Sequence, residues 1–77
     1  MKITLESTDK IVELEMKSTF VPARVWEGHT ESGVPCFAYI TRIACMDPER
    51  SEDFDKNLQS TRPPSPAIDA LPLRQIL

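Results

Sequence analysis

The chain has 77 residues, 40% of them hydrophobic, which allows one small domain near the lower size limit for a core without cross-links. Its net charge is −3 and its basic residues form no stripe, so direct nucleic-acid binding is not expected. No apolar run approaches the length of a membrane span, so no membrane association is expected either.

The first 46 residues are predicted to form an antiparallel sheet. Polar and apolar residues alternate over residues 2–6 and 11–16, and the turn-forming residues 7–10 lie between them. Residues 21–44 predict a long hairpin, because two runs rich in β-branched and aromatic residues flank a polar segment bounded by Gly28 and Gly33. The second arm is apolar on both faces, which is typical of a central strand.

Both cysteines, Cys36 and Cys45, fall in the predicted second arm, nine positions apart. At about 3.3 Å per residue their Cα atoms would be roughly 30 Å apart, whereas a disulfide needs about 4.4–6.8 Å. We therefore expect two free thiols, which favour a reducing cytoplasm as the location. The chain opens on a strand pattern rather than a signal peptide, which favours the same compartment.

An acidic helix is predicted over residues 47–59. Asp47 is a suitable N-cap, Pro48 fits the first helical position, and Glu49 places an acid in the first turn. Only Phe54 and Leu58 recur as apolar residues at helical spacing, so the helix should cover the sheet with one edge and leave its acidic side in water.

Residues 60–77 combine a proline-rich linker with an apolar tail. Residues 62–66 favour an extended segment, and Ser65-Pro66 favours a short helical turn that Pro72 ends. The tail is expected to dock on the sheet or on another chain, because four of its residues are apolar: Leu71, Leu73, Ile76 and Leu77. The predicted fold is thus one α+β domain over residues 1–77, with about four antiparallel strands (1–46), one acidic helix (47–59) and a docked tail (60–77).

No catalytic arrangement is evident in the sequence. His29 is the only imidazole and lies in the predicted hairpin loop between Glu27 and Glu31. These residues and the cysteines show none of the paired spacings typical of metal sites. We therefore expect no enzymatic activity, no metal and no cofactor, with His29 a solvated loop residue.

Two sets of residues are candidates for partner binding. Arg24 and Trp26 alternate on one face of the first arm, with Arg42 across from them, and Trp and Arg are common interface anchors. A core Trp26 with Arg24 lying along it would be an equally ordinary arrangement. The second set is acidic and consists of Glu49, Glu52 and Asp53. These residues either imitate a row of phosphates for a basic partner or form the solvated side of the helix.

The whole chain resembles a group of small proteins encoded by bacteriophages and prophages. The likeness is carried by Ala23-Arg24-Val25-Trp26-Glu27-Gly28, Thr30-Glu31-Ser32-Gly33 and Ile40-Thr41-Arg42-Ile43-Ala44. The resemblance implies a context rather than site residues. Phage accessory proteins of this size are often non-enzymatic inhibitors of host defence, including anti-CRISPR proteins.

The leading hypothesis is a non-enzymatic protein that binds and inhibits a host protein or ribonucleoprotein complex, in particular a CRISPR-type defence component. One alternative is an oligomer that sequesters an anionic signalling nucleotide with Arg24, Trp26, His29 and Arg42. A further alternative is a minor structural component of the virion.

The small core and the apolar tail also predict a symmetric homodimer. Pro22 and Pro35 disfavour strand pairing at the hairpin ends nearest them, so the N-terminal strand or the tail is the expected seam.

Overall fold

The computed structural model describes residues 1–76 as a four-stranded sheet with short helical segments beside it. The strands are β1 (Ile3–Met16), β2 (Thr19–Thr30), β3 (Pro35–Ile40) and β4 (Arg74–Ile76), in the sheet order β3-β2-β1-β4. A 3-10 helix (Pro48–Arg50) leads into α1 (Ser51–Leu58), and α2 (Pro66–Asp69) follows. This small, largely β architecture agrees with the predicted α+β class and strand number.

β1 is one long strand, whereas the sequence predicted two strands and a turn. Its pairing with β2 is interrupted between Ser7 and Ile11, where three residues of β1 oppose Val25 alone. Thr8 is fully buried in this bulge, and its hydroxyl donates to the Val25 carbonyl at 2.6 Å. The prediction of a turn was wrong. The bond from the Thr8 side chain replaces a backbone hydrogen bond of the interrupted β1–β2 pairing, so the chain continues as a bulged strand.

β2 and β3 form the predicted hairpin, but its loop is shorter. The Thr30 N–H donates to the Val34 carbonyl and the Gly33 N–H to the Thr30 carbonyl, each at 3.0 Å. Gly33 has a φ of 85°, which glycine adopts without steric cost. His29 therefore lies on β2 rather than in a loop, and it is exposed.

β3 lies at an edge of the sheet, so the prediction of a central strand was wrong. None of its residues is fully buried, although all of them are apolar. The rings of Phe37 and Tyr39 pack edge to face with centroids 5.6 Å apart, which covers part of this apolar surface. β3 also ends at Ile40, so Cys45 is outside the strand, and both cysteine thiols are free.

The hydrophobic core lies on one face of β1 and β2. Its fully buried residues are Val12, Leu14, Ala23, Val25 and Ile68, the last supplied by α2. Tyr39 and Leu71 pack against this cluster and are partly buried. The core is therefore small, and the short α2 is needed to close it.

The C-terminal tail docks on the sheet, as predicted. β4 pairs with residues 13–15 of β1, and Leu77 lies outside the described residues. This pairing is parallel, so the sheet is mixed rather than antiparallel throughout.

The predicted acidic helix is present as the 3-10 helix and α1. The Asp47 carboxylate accepts a bond from the Glu49 N–H at 3.1 Å, which confirms Asp47 as an N-cap. Phe54 and Leu58 are half-buried, and α1 has no fully buried residue. Within residues 1–76, no helix is both long and apolar enough to cross a membrane.

Candidate functional site

β2 separates the core from the candidate site because successive side chains alternate between its two faces. Ala23, Val25 and Glu27 face the core side and are buried. Arg24 and Trp26 therefore project from the opposite face of the sheet.

A groove of about 240 Å³ lies on that opposite face, where residues after β3 and the end of α1 approach the sheet. We call it the Arg-Trp groove; its lining includes Arg24, Trp26, Arg42, Ile11, Ile40 and Leu58. The structure thus places Arg24, Trp26 and Arg42 along one groove.

Trp26 is half-buried, so it is neither a core residue nor a freely exposed one. Its neighbours across the sheet are Ser7 on β1 and Ala38 on β3, two small residues that leave room for the indole. The indole also lines a second depression, together with Asn57 and Arg62. Trp26 thus separates two adjoining depressions and is accessible from both.

Arg24 is held in place by the bulge of β1. Its Nη1 donates to the Thr8 carbonyl at 2.8 Å. A guanidinium carries five N–H donors, so this bond orients the group and leaves other donors available to a ligand. The local break in β1 therefore positions one cationic group of the groove.

Among residues 1–76, no carboxylate forms an ion pair with either groove arginine. The ion pairs found within residues 1–76 all involve other arginines: Arg50, Arg62 and Arg74. Arg42 follows β3 and is exposed. Among the described residues that line the groove there are consequently two positive charges and no acid, although the chain as a whole is acidic.

His29 does not belong to this groove, which corrects the four-residue ligand set predicted from the sequence. It is five positions from Arg24 on a regularly paired stretch of β2, so the two side chains project from opposite faces. In the sheet it pairs with Thr4 on one side and Pro35 on the other, near the hairpin turn.

The predicted acidic set forms a separate surface. Glu49, Glu52 and Asp53 are all exposed on the 3-10 helix and α1. The Asp53 carboxylate is 3.8 Å from Nε of Arg50, and both groups are largely exposed, so the pair contributes little. Asp53 lines another groove, with Cys45 and Phe54, that contains none of the Arg-Trp groove residues.

A buried polar cluster was missed in the sequence. Glu27 is only 9% exposed, and its carboxylate accepts bonds from Nη1 of Arg62 at 2.6 Å and from the N–H and hydroxyl of Ser65 at 3.0 and 2.7 Å. Its position in the series Ala23, Val25, Glu27, on the apolar face of a strand, was the available signal.

The environment of Glu27 favours the ionised carboxylate. Burial alone would raise its pKa, but the hydrogen bonds from Arg62 and Ser65, together with the charge of Arg62, outweigh burial and lower the pKa. The backbone of Arg62 also bonds to β1, where its carbonyl accepts from the Asp9 N–H at 2.9 Å. This cluster therefore anchors the proline-rich segment to the sheet.

The chain matches no family model, no curated protein and no solved structure. Among residues 1–76, no group of three or more His, Cys, Asp or Glu side chains is placed to hold a metal ion. The Arg-Trp groove and the surfaces around it are therefore the candidate sites of function.

Proposed function

We propose that this protein is a non-enzymatic inhibitor that binds a host protein or ribonucleoprotein complex through the Arg-Trp groove. The supporting observation is a groove that brings a half-buried Trp26 together with two arginines, neither of which forms an ion pair within residues 1–76. Tryptophan and arginine are the residue types that most often dominate interface energies, particularly in partly desolvated pockets.

The edges of the groove also suit a macromolecular partner. Ile11 is 48% exposed and Ile43 44% exposed, so apolar side chains surround the cationic groups. Apolar contact would exclude water around the arginines, and the arginines would select carboxylate or phosphate groups on the partner. A protein surface on which apolar side chains surround acidic ones meets both requirements.

The acidic surface formed by Glu49, Glu52 and Asp53 would provide a second contact with the partner, opposite in charge to the Arg-Trp groove. A partner with neighbouring acidic and basic patches would be oriented by both surfaces. The resemblance to small phage proteins supports a bacterial defence complex, and a CRISPR-type effector in particular, as the class of target.

The test is binding to purified CRISPR effector complexes, measured by co-elution at defined ratios and by inhibition of target cleavage. We expect stoichiometric co-elution and inhibition by the unaltered protein. Arg42→Glu should weaken binding at least tenfold, because it reverses a groove charge. Lys2→Glu, with the same charge change at an exposed residue outside the groove, should bind normally. Equal affinity of both variants, or substrate turnover by the protein alone, would contradict the proposal.

Sequestration of a small anionic nucleotide is a second candidate, favoured by the convergence of two guanidinium groups and an indole in one groove. The volume of 240 Å³ lies below the ~300–1,000 Å³ of typical ligand sites, so a second subunit would be needed to enclose a nucleotide. Native mass spectrometry after incubation with cytosol distinguishes the candidates. A small molecule released on denaturation favours sequestration, and its absence favours the macromolecular partner.

A further inference from the structure

The outer edge of β3 has free backbone hydrogen-bonding groups. The bond from the Thr30 N–H to the Val34 carbonyl fixes the alternation of the hairpin ladder. By that alternation, Cys36, Ala38 and Ile40 bond to β2 through their backbones. The N–H and C=O groups of Phe37 and Tyr39 therefore point away from the sheet.

These outward groups are not used elsewhere in the described part of the chain. Backbone bonds between separate segments of residues 1–76 involve neither Phe37 nor Tyr39. By the same alternation, Pro35 occupies an outward-facing position of the ladder. Because proline has no N–H, the start of this edge lacks one donor.

We propose that the β3 edge pairs antiparallel with the β3 edge of a second copy, forming one continuous eight-stranded sheet across a two-fold axis. The register that uses every outward donor of β3 places Phe37 opposite Tyr39 of the second copy and Ala38 opposite Ala38. Phe37 and Tyr39 then exchange four N–H to C=O bonds across the seam.

The side chains of β3 suit this register. Ala38 would occupy a pair without direct backbone bonds, where side chains approach most closely, and alanine is small enough to allow it. Phe37 is 46% exposed and already packs against Tyr39, so pairing would join two such aromatic pairs into a four-ring cluster.

Charge identifies a second copy as the occupant. β3 has no charged residue, so two acidic chains can approach along it without direct repulsion. In an antiparallel pair, the end of β3 that leads into Arg42 meets the hairpin turn of the second copy, which contains Glu31. The two-fold axis repeats this opposite-charge contact at both ends of the seam.

The opposite edge of the sheet, formed by the start of β1 and by the three-residue β4 with its charged Arg74, is less suitable. The outward groups of Ile3 and Leu5 on β1 have no partner strand within residues 1–76, because β4 begins its pairing at Glu13. This stretch is short and is flanked by the charged residues Lys2 and Glu6, which discourage edge pairing. The tail that the sequence favoured as a seam is partly used in β4.

The first test is sedimentation equilibrium of the unaltered protein and two matched edge variants. Phe37→Lys changes a 46% exposed residue on β3, and Ile3→Lys a 45% exposed residue on β1. We expect a dimer for the unaltered protein and Ile3→Lys, and a monomer with an unchanged circular dichroism spectrum for Phe37→Lys. A monomeric unaltered protein, a dimeric Phe37→Lys or a monomeric Ile3→Lys would overturn the proposal.

The second test fixes the register and does not require Phe37→Lys to fold. A variant with Cys36→Ser, Ala38→Cys and Cys45→Ser should form a disulfide-linked dimer on treatment with diamide, because the two introduced thiols face each other. The Cys45→Ser control retains Cys36, and the Cα atoms of the two Cys36 residues would lie about 13 Å apart in this register, beyond the roughly 4.4–6.8 Å of a disulfide, so this control should remain unlinked. Equal cross-linking of both variants, or cross-linking of neither, would overturn the register.

Discussion

Glu27 joins the core face of β2 to the proline-rich segment through Arg62 and Ser65. Replacing it by glutamine keeps the size of the side chain but leaves Arg62 without its buried anion. We expect Glu27→Gln to lower the free energy of unfolding by about 1–3 kcal/mol at neutral pH, measured by urea denaturation. Glu52→Gln, at an exposed position on α1, is the control and should change little.

The same cluster predicts the direction of a pH effect. The pKa of Glu27 is lowered in the folded state, so its stabilising effect is complete above the unfolded value of about 4.5. That contribution is lost as the pH falls from there through the lower folded-state pKa. The stability difference between the unaltered protein and Glu27→Gln should therefore shrink on acidification. A difference that grows over this range would contradict the assignment.

Gly28 is required by close backbone packing rather than by a turn. A Cβ atom added there would lie 1.7 Å from the Thr4 carbonyl oxygen on β1. Gly28→Ala should therefore separate β1 from β2 locally and reduce the free energy of unfolding by at least about 1–3 kcal/mol.

Gly33→Ala is the matched control for Gly28→Ala. An added Cβ meets nothing within 4 Å, although the φ of 85° is strained for alanine. A cost of roughly 1 kcal/mol is expected, from the left-handed backbone alone. Thermal denaturation should rank Gly28→Ala as the less stable variant, and the opposite ranking would show that backbone conformation outweighs the steric conflict.

At the scale of elements, the acidic surface gives a prediction about binding. If Glu49, Glu52 and Asp53 contact a basic patch, affinity for the partner should fall with added salt. Replacing all three by lysine should abolish binding and preserve the circular dichroism spectrum, because the three side chains are exposed.

Neutral replacements provide the graded control. Glu49→Gln, Glu52→Gln and Asp53→Asn together should weaken binding less than the lysine variant does. Calorimetric titration at two salt concentrations measures both effects. Unchanged affinity in the lysine variant would assign the acidic residues to the solvated side of the helix alone.

Local sequence patterns predicted the hairpin, the acidic helix, the short turn at Ser65-Pro66 and the docking of the tail. They did not predict the bulge in β1, since Thr8 is held by the carbonyl of Val25, far from it in sequence. The position of β3 was missed for a related reason. The prediction of a central strand assumed that its apolar residues are covered on both faces. In the structure, the apolar residues of β3 pack partly on each other and partly line open grooves.

For the candidate site, alternation along β2 was sufficient to bring Arg24 and Trp26 together. The placement of Arg42 in the same groove depends on how the chain turns after Ile40, whereas the hairpin pattern indicates only that Arg42 lies across from the first arm. Arg62 and Ser65 could not be assigned to Glu27, because their contact depends on the path of the whole proline-rich segment.

At the scale of the whole molecule, stability depends on closing a very small core with α2. Ile68 is 4% exposed and is the only residue of α2 that is fully buried. Ile68→Ala should cost about 2–5 kcal/mol, which is comparable to the total stability expected of a chain this small. Its far-ultraviolet circular dichroism should therefore show a large unfolded fraction at 37 °C.

Ile76→Ala makes the same chemical change at a position that is 81% exposed on β4. Removal of an exposed side chain should alter the free energy of unfolding by no more than about 0.5 kcal/mol. Urea denaturation of both variants at one protein concentration shows whether the core is stabilised mainly by α2 or by the tail. Equal losses of unfolding free energy in the two variants would show that the side chain of Ile76 on β4 stabilises the fold as strongly as that of Ile68 does. The core would then depend on the tail as well as on α2.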